Sequence, residues 1–237
     1  MKQSEGQGVQ SVGTNTEFAA LIEAYMVEQK KGTVKKYKVL NQCVKKGRTL
    51  FVGSSLMEWF PISELQLSLD EHYHIYNRGI AGSVTDELLY WMDECIFELE
   101  PSKIFINIGT NDMNTSEYRL EKLIANYDNI LSQIKTRLPS CQVYVMAYYP
   151  INAKADFGSA GQLIREAGMF KTRTNEVILQ ANDALKSLAE KHHYEFINVN
   201  QGLTDETGNL KEEFSIDGIH MYANGYSVVL GNLVQYL

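Results

Sequence analysis

The chain reads as a doubly wound α/β domain with a parallel central sheet, and three observations predict it. Short, uniformly apolar runs alternate with long amphipathic stretches, the alternation recurs about five times, and no hairpin turn signal separates one apolar run from the next. A strand that is apolar on both faces needs helices above and below it. Parallel neighbours need crossover connections long enough to contain those helices.

Residues 1–16 are rich in Gly, Ser, Gln and Thr and are expected as a flexible arm. From Glu17, the residues Phe18, Leu21, Ile22, Tyr25 and Met26 fall at helical spacing, which predicts an amphipathic helix and a helical extension over 17–46. Lys30, Lys31, Lys35, Lys36, Lys38, Lys45 and Lys46 follow; such a run is usually a solvated face and also suits contact with a partner, so a homo-oligomer is an open expectation. Five candidate strands come next: TLFVG at 49–53, HIYN at 74–77, KIFINIG at 103–109, QVYVMAYY at 142–149 and YEFINV at 194–199. Between and after them run three helical stripes. Leu120, Leu123, Ile124, Tyr127, Leu131, Ile134 and Leu138 make the first; Ile178, Ala181, Leu185 and Leu188 the second; Tyr226, Val229, Leu230, Leu233 and Leu237 the third. Residues 47–237 are therefore expected as a single domain.

The length, 237 residues, suits one sizeable core, and 44% hydrophobic with 22% charged residues suits a packed globular chain rather than a disordered one. A net charge of −7 offers no general attraction to a polyphosphate, so nucleic acid is not expected as a partner. Cys43, Cys95 and Cys141 are widely separated and form no CxxC pair, so neither a metal site nor a disulfide framework is predicted. The first residues contain no apolar signal core, and no apolar run approaches the ~18 residues of a membrane span. The expectation is a cytoplasmic protein.

Sheets of this kind carry their sites where strand C-termini give way to loops. Gly53-Ser54-Ser55-Leu56 follows the first strand, Asn77 to Gly82 the second and Gly109-Thr110-Asn111-Asp112 the third; Asp217-Gly218-Ile219-His220 stands near the C-terminus. Ester hydrolysis needs a nucleophile, a base, an orienting carboxylate and donors for an oxyanion. Ser55 supplies the first and His220 the second. Only His220 has an acid, Asp217, three residues before it in a glycine-containing loop; His72, His74, His192 and His193 lack that arrangement. The Ser55 N–H, the Gly82 N–H and the Asn111 amide are candidate oxyanion donors. Each cluster also has an ordinary structural reading: a turn serine, a satisfied loop pair, good turn chemistry, glycines that permit tight packing. Their joint occurrence at consecutive strand ends is what those readings do not account for.

In order and content the four clusters resemble the four sequence blocks of the SGNH (GDSL-like) hydrolases over about residues 49–230, and are most similar to the bacterial lysophospholipase L1-like and platelet-activating-factor acetylhydrolase-like branch. The resemblance implies a three-layer, flavodoxin-like α/β/α sandwich with a five-stranded parallel sheet and no cofactor. It also implies Ser55 as catalytic serine, Gly82 and Asn111 as oxyanion residues, and Asp217 and His220 as acid and base. Ser54 departs from the pattern, since the first block usually reads Gly-Asp-Ser-Leu. That aspartate resembles a structural anion bracing the nucleophile turn, so its replacement leaves the triad intact and removes a charge-assisted brace.

There is no G-x-S-x-G elbow, no G-x-x-x-x-G-K-[ST] and no G-x-G-x-x-G, which argues against an α/β-hydrolase and against nucleotide binding. The expected substrate is a small-molecule ester. Residues 151–175 form a long connection suited to a lid or binding loop. From it Arg165 is a candidate substrate contact, with Trp59 and Tyr149 as aromatic candidates near the site elements. A catalytically inactive binding module on the same scaffold is the alternative that Ser54 leaves open.

Overall fold

The computed structural model describes residues 10–237, with side chains described for Glu17 and from Ala20 onward. The elements run α1 (Gln10–Asn41), β1 (Thr49–Gly53), α2 (Ser55–Glu58), α3 (Ile62–Leu65), β2 (Ile75–Gly79), α4 (Thr85–Tyr90), α5 (Met92–Cys95) and β3 (Lys103–Asn107). They continue with α6 (Leu120–Arg137), β4 (Gln142–Met146), α7 (Gly158–Glu166), α8 (Met169–Thr172), α9 (Asn175–His192), β5 (Glu195–Ile197) and α10 (Ala223–Leu233). All five strands are parallel, in the order β2-β1-β3-β4-β5, and helices cover the sheet as the alternating pattern requires.

Register decides what each face of the sheet carries. Phe51 pairs with Phe105 and Phe105 with Tyr144, so three aromatic rings stand side by side on one face, with centroids 5.3 and 4.8 Å apart. Phe60 continues the row from Phe51 at 5.4 Å and stacks on Tyr226 of α10 at 4.7 Å; Tyr236 closes it against Tyr144. Because strand side chains alternate, Leu50, Val52, Ile104, Ile106, Val143 and Val145 point to the other face, and all are buried. There α6 lies between α4 and α9.

Three of the expected strands are shorter than their apolar runs, the last being confined to Glu195–Ile197. Residues 108–109 and 147–149 leave the sheet yet stay buried, because the loops over the C-terminal edge are themselves interior. The second strand instead extends to Gly79, past the apolar HIYN segment, since Asn77 and Arg78 are satisfied within the protein. The 151–175 connection contains α7 and α8 and begins inside the core, with Ile151 and Asn152 buried.

Helix α1 begins at Gln10, upstream of Glu17: once an amphipathic segment has nucleated, each added residue gains a hydrogen bond, and no proline interrupts this one. Residues 1–9, the first part of the expected arm, lie outside the described residues. The C-terminal half of α1 is fastened to β2 and α5. Arg78, buried, donates to the Asn41 side-chain carbonyl from Nε at 3.0 Å and Nη2 at 2.9 Å, and Asn41 donates to the Glu94 carbonyl at 2.8 Å. Among the described residues no helix is long and apolar enough to cross a membrane.

Phe105 sits at the centre of the aromatic row and is fully buried. Phe105→Ala is expected to cost about 3–5 kcal/mol of stability, from lost burial plus the cavity left between neighbours that cannot collapse onto it. Urea unfolding measures it; a loss below about 1 kcal/mol would contradict this account of the core.

Candidate active site

The strand order makes the first crossover run outward from β1 to β2 and the second return past β1 to β3. The connection leaving β1 runs toward β2 and the one leaving β3 runs toward β4, so these two part at the C-terminal ends of β1 and β3, which opens a crevice there. Ser55 opens α2 directly after β1, and Asn111 follows β3. Asp217 and His220 lie in the loop that precedes α10.

These residues, far apart in sequence, meet. Ser55 Oγ is 2.9 Å from His220 Nε2, and His220 Nδ1 is 2.6 Å from Asp217 Oδ2. The other carboxylate oxygen of Asp217 accepts the backbone N–H groups of Ile219 at 2.9 Å and His220 at 2.8 Å, which fixes the acid relative to the ring it faces. The loop is held at its base, where Gly218 N–H donates to Ser215 Oγ and Asn152 N–H to the Gly218 carbonyl, each at 2.8 Å. Burial pushes the Asp217 carboxyl up, but the hydrogen bond and charge of His220 and the two backbone donors outweigh it, so the group lies below its ordinary value.

Helix α2, which begins with Ser55, is pressed against β2. A Cβ on Gly79 would lie 2.2 Å from the Glu58 backbone nitrogen, so only glycine admits this approach. Asn77 then clips the two together: its amide donates to the Met57 carbonyl at 2.5 Å and to that of Phe60 at 3.3 Å, while its oxygen accepts the Gly79 N–H at 2.9 Å. Glu58 carries the link to the next loop by accepting the Ala81 N–H at 2.6 Å. Burial raises the Glu58 carboxyl against the lowering effect of that N–H and of Lys36.

Gly82 follows with φ +71°, a left-handed conformation that L side chains rarely adopt. Among the described residues neither its N–H nor that of Ser55 has an acceptor. Asn111 donates one amide hydrogen to the Ser83 carbonyl at 3.0 Å and accepts from Asn114 at 3.2 Å, which ties the β3 loop to the loop bearing Gly82. Asp112 strengthens that tie by accepting both the N–H and the hydroxyl of Thr85; burial raises its carboxyl against these donors.

Ser54 is fully buried and, among the described residues, its hydroxyl has no hydrogen-bond partner. Its backbone carbonyl, by contrast, accepts from Met57 and Glu58 at 3.0 and 2.9 Å, so the Ser54 side chain adds nothing to the bonds that hold the turn.

The candidate substrate contacts separate. Trp59 lies over the His220 imidazole, ring centres 4.3 Å apart, and is 46% exposed. Tyr149 is 1% exposed and faces the core, where burial raises its hydroxyl. Arg165 is on the surface and donates to the carbonyls of Ala153 and Ala155 at 3.1 and 2.5 Å, bracing its own loop.

Three residues around the site were not legible in sequence. Lys30, one of the lysine run, turns inward: its ammonium donates to the Gly82 carbonyl at 2.8 Å and pairs with Glu87 at 2.7 Å. Glu58 gave only the weak signal of an acid three residues after the serine. Arg173 is 2% exposed and lies within electrostatic reach of Asp217; burial pushes its guanidinium down to about 10, against the opposing pull of Asp217 and Tyr148. Among the described residues its Nε and Nη2 have no hydrogen-bond partner.

The fold and the sequence have known relatives. A solved structure from Streptococcus pneumonia whose name refers to platelet activating factor superposes with a TM-score of 0.82 at 28% identity, covering 93% of this chain and 98% of that one. A GDSL-like lipase from Bacteroides thetaiotaomicron shares the fold, with a TM-score of 0.69 at 21% identity over 86% of this chain and 96% of that one. In sequence, platelet-activating factor acetylhydrolase IB subunit alpha2 of Rattus norvegicus is 23% identical over 76% of this chain and 71% of its own length. N-acylneuraminate cytidylyltransferase of Escherichia coli O18:K1:H7 is also 23% identical, over 78% of this chain, which spans only 39% of that longer protein. The GDSL-like Lipase/Acylhydrolase family model matches residues 51–228, a span that contains the serine, the aspartate and the histidine brought together at the sheet edge, and the chain belongs to that family of ester-bond hydrolases.

Proposed function

We propose that residues 47–237 form a catalytic domain that hydrolyses a small carboxylic ester through an acyl-enzyme on Ser55. The observation that carries this reading is the unbroken hydrogen-bonded chain Ser55–His220–Asp217, at 2.9 and 2.6 Å. His220 takes the Ser55 proton as the oxygen attacks the acyl carbonyl, and Asp217 holds the ring with Nδ1 protonated, so that Nε2 is the free base. The carbonyl π electrons move to oxygen. The resulting oxyanion is met by the N–H groups of Ser55 and Gly82 and by the Asn111 amide hydrogen not given to Ser83. Collapse of the intermediate expels the alcohol, which takes the proton from His220. Water, deprotonated by the same ring, then releases the acid and restores the serine.

Trp59 is exposed beside His220 and offers an apolar platform at the mouth of the site for the alcohol or acyl group. Lys30 is a positioning residue in this scheme: it holds the carbonyl of the residue whose N–H faces the oxyanion. The buried Ser54 hydroxyl contributes no brace to the nucleophile turn.

A fluorophosphonate probe is expected to label Ser55, and Ser55→Ala to abolish both labelling and aryl-acetate turnover; His220→Ala should lower kcat by about 10⁴-fold or more. Labelling at another residue, or turnover retained by Ser55→Ala, would remove Ser55 as the nucleophile; a wild-type chain with neither labelling nor turnover would return it to the reading of a binding module.

Lys30→Met is expected to lower kcat roughly tenfold with KM little changed, because what is loosened is a transition-state contact. Lys30→Arg should recover much of the loss. An unchanged kcat would remove Lys30 from the site.

Ser54→Ala should leave stability equal to or above that of the wild-type chain, since an unpaired buried hydroxyl carries a desolvation cost of ~1–3 kcal/mol. A loss above about 1 kcal/mol in urea unfolding would reveal a hydrogen bond at that oxygen.

A further inference from the structure

Helix α1 has two long faces, and the body of the protein uses one of them. Lys30, Val34, Tyr37 and Asn41, three and four residues apart, turn toward the domain. On the opposite side, Ile22, Tyr25, Gln29, Gly32, Lys36 and Val39 follow at alternating steps of three and four, the spacing of a coiled-coil seam. Leu21, Met26 and Leu40 flank that seam. It is open to solvent: Leu21 is 66% exposed, Ile22 48%, Tyr25 59% and Val39 58%. Its C-terminal half contains a shallow depression of about 550 Å³ lined by Gly32, Lys35, Lys36, Val39, Leu40 and Cys43.

Charge is divided along the same helix. Between residues 10 and 29 the charged side chains are Glu17, Glu23 and Glu28; between 30 and 48 every charged side chain is basic. The N-terminal half therefore offers apolar knobs with acidic flanks, and the C-terminal half an apolar depression with basic flanks. Each half is the complement of the other.

We propose that two copies of this chain associate through α1, packed antiparallel about a two-fold axis that crosses the helix between Gln29 and Gly32. In that register Ile22 meets Val39 of the second copy, Leu21 meets Leu40, and Gln29 crosses Gly32, where the missing side chain lets the backbones approach. Glu28 and Lys35 lie on the same flank of the seam, so each Glu28 faces the second copy's Lys35. A parallel arrangement would oppose like charges along the whole seam. The contact is isologous and closes on itself, so it yields a dimer and no filament. A lipid surface is the poorer occupant, because the most apolar part of the seam is the part that carries the acidic residues. The seam from Ile22 to Val39 is about 26 Å long at 1.5 Å per residue, and the apolar surface along it is of the contiguous kind that single soluble chains seldom leave bare. This inference does not depend on the catalytic reading.

Sedimentation velocity of the full chain at micromolar concentration tests it. The wild-type chain is expected at twice the monomer mass, and Tyr25→Asp and Val39→Asp each at the monomer mass. Glu28→Lys and Lys35→Glu should each weaken the dimer about tenfold at low salt. The combined Glu28→Lys/Lys35→Glu chain should recover wild-type affinity to within a few-fold, a rescue that a folding defect cannot produce. A monomeric wild-type chain would overturn the proposal, as would a dimer indifferent to the Asp variants or a double charge reversal no better than the single ones. A wild-type monomer that binds phosphatidylcholine–phosphatidylglycerol vesicles through Tyr25 would overturn it in favour of a membrane surface.

Discussion

The approach of α2 to β2 is the constraint on which the site depends. With no side chain at Gly79, the backbone of the nucleophile helix lies directly on the end of the strand, and Asn77 and Glu58 convert that proximity into hydrogen bonds. Ser55, the β2 end and the loop leading to Gly82 thereby form one unit. In the proposed mechanism this would preorganise the site, with its donors aimed before any substrate arrives. Moving any one of these segments would disturb hydrogen bonds to all three.

The charges of the site are arranged around Asp217. The carboxylate is nearly enclosed, and enclosure by itself would favour its neutral form; two backbone N–H groups, the imidazole and, within electrostatic reach, the buried Arg173 oppose that tendency. In the proposed mechanism the ionised acid would stabilise the imidazolium that forms during attack. With its pKa depressed in the folded state, the stabilisation Asp217 supplies is complete above the unfolded carboxylate value of about 3.9 and is lost as pH falls through the lower folded value. Asp112 is the opposite case, half-buried and raised against the donors of Thr85 and its own backbone N–H, and it binds two loops together.

Helix α1 joins these matters to the outside of the molecule. Its inner face reaches the carbonyl of Gly82 through Lys30, the carbonyl of Gly79 through Tyr37 and the Arg78 guanidinium through Asn41. Anything that steadies its outer face therefore steadies a helix that touches the loop beside the nucleophile. The proposed dimer contact and the site geometry would therefore share one element.

Much of the architecture was legible in the residues alone. The five apolar runs, the three helical stripes and the order of the four motif clusters follow from periodicity and local chemistry, and they led to the sheet, its C-terminal edge and the residues Ser55, Asp217 and His220 found hydrogen-bonded there. Strand ends were less legible, because apolar residues such as Ile108 and Tyr149 are demanded by burial, which continues past the last ladder hydrogen bond. Only the tertiary structure decided that Lys30 turns inward while its neighbours stay solvated, that Tyr149 faces the core, that Arg165 braces its own loop and that Arg173 sits near the acid. The physical reason is one of range. Periodicity and turn chemistry act over a few residues and are written locally, whereas the partner of a charge or the surroundings of a ring are set by segments tens to hundreds of residues away, whose approach the chain encodes only through the packing of the whole.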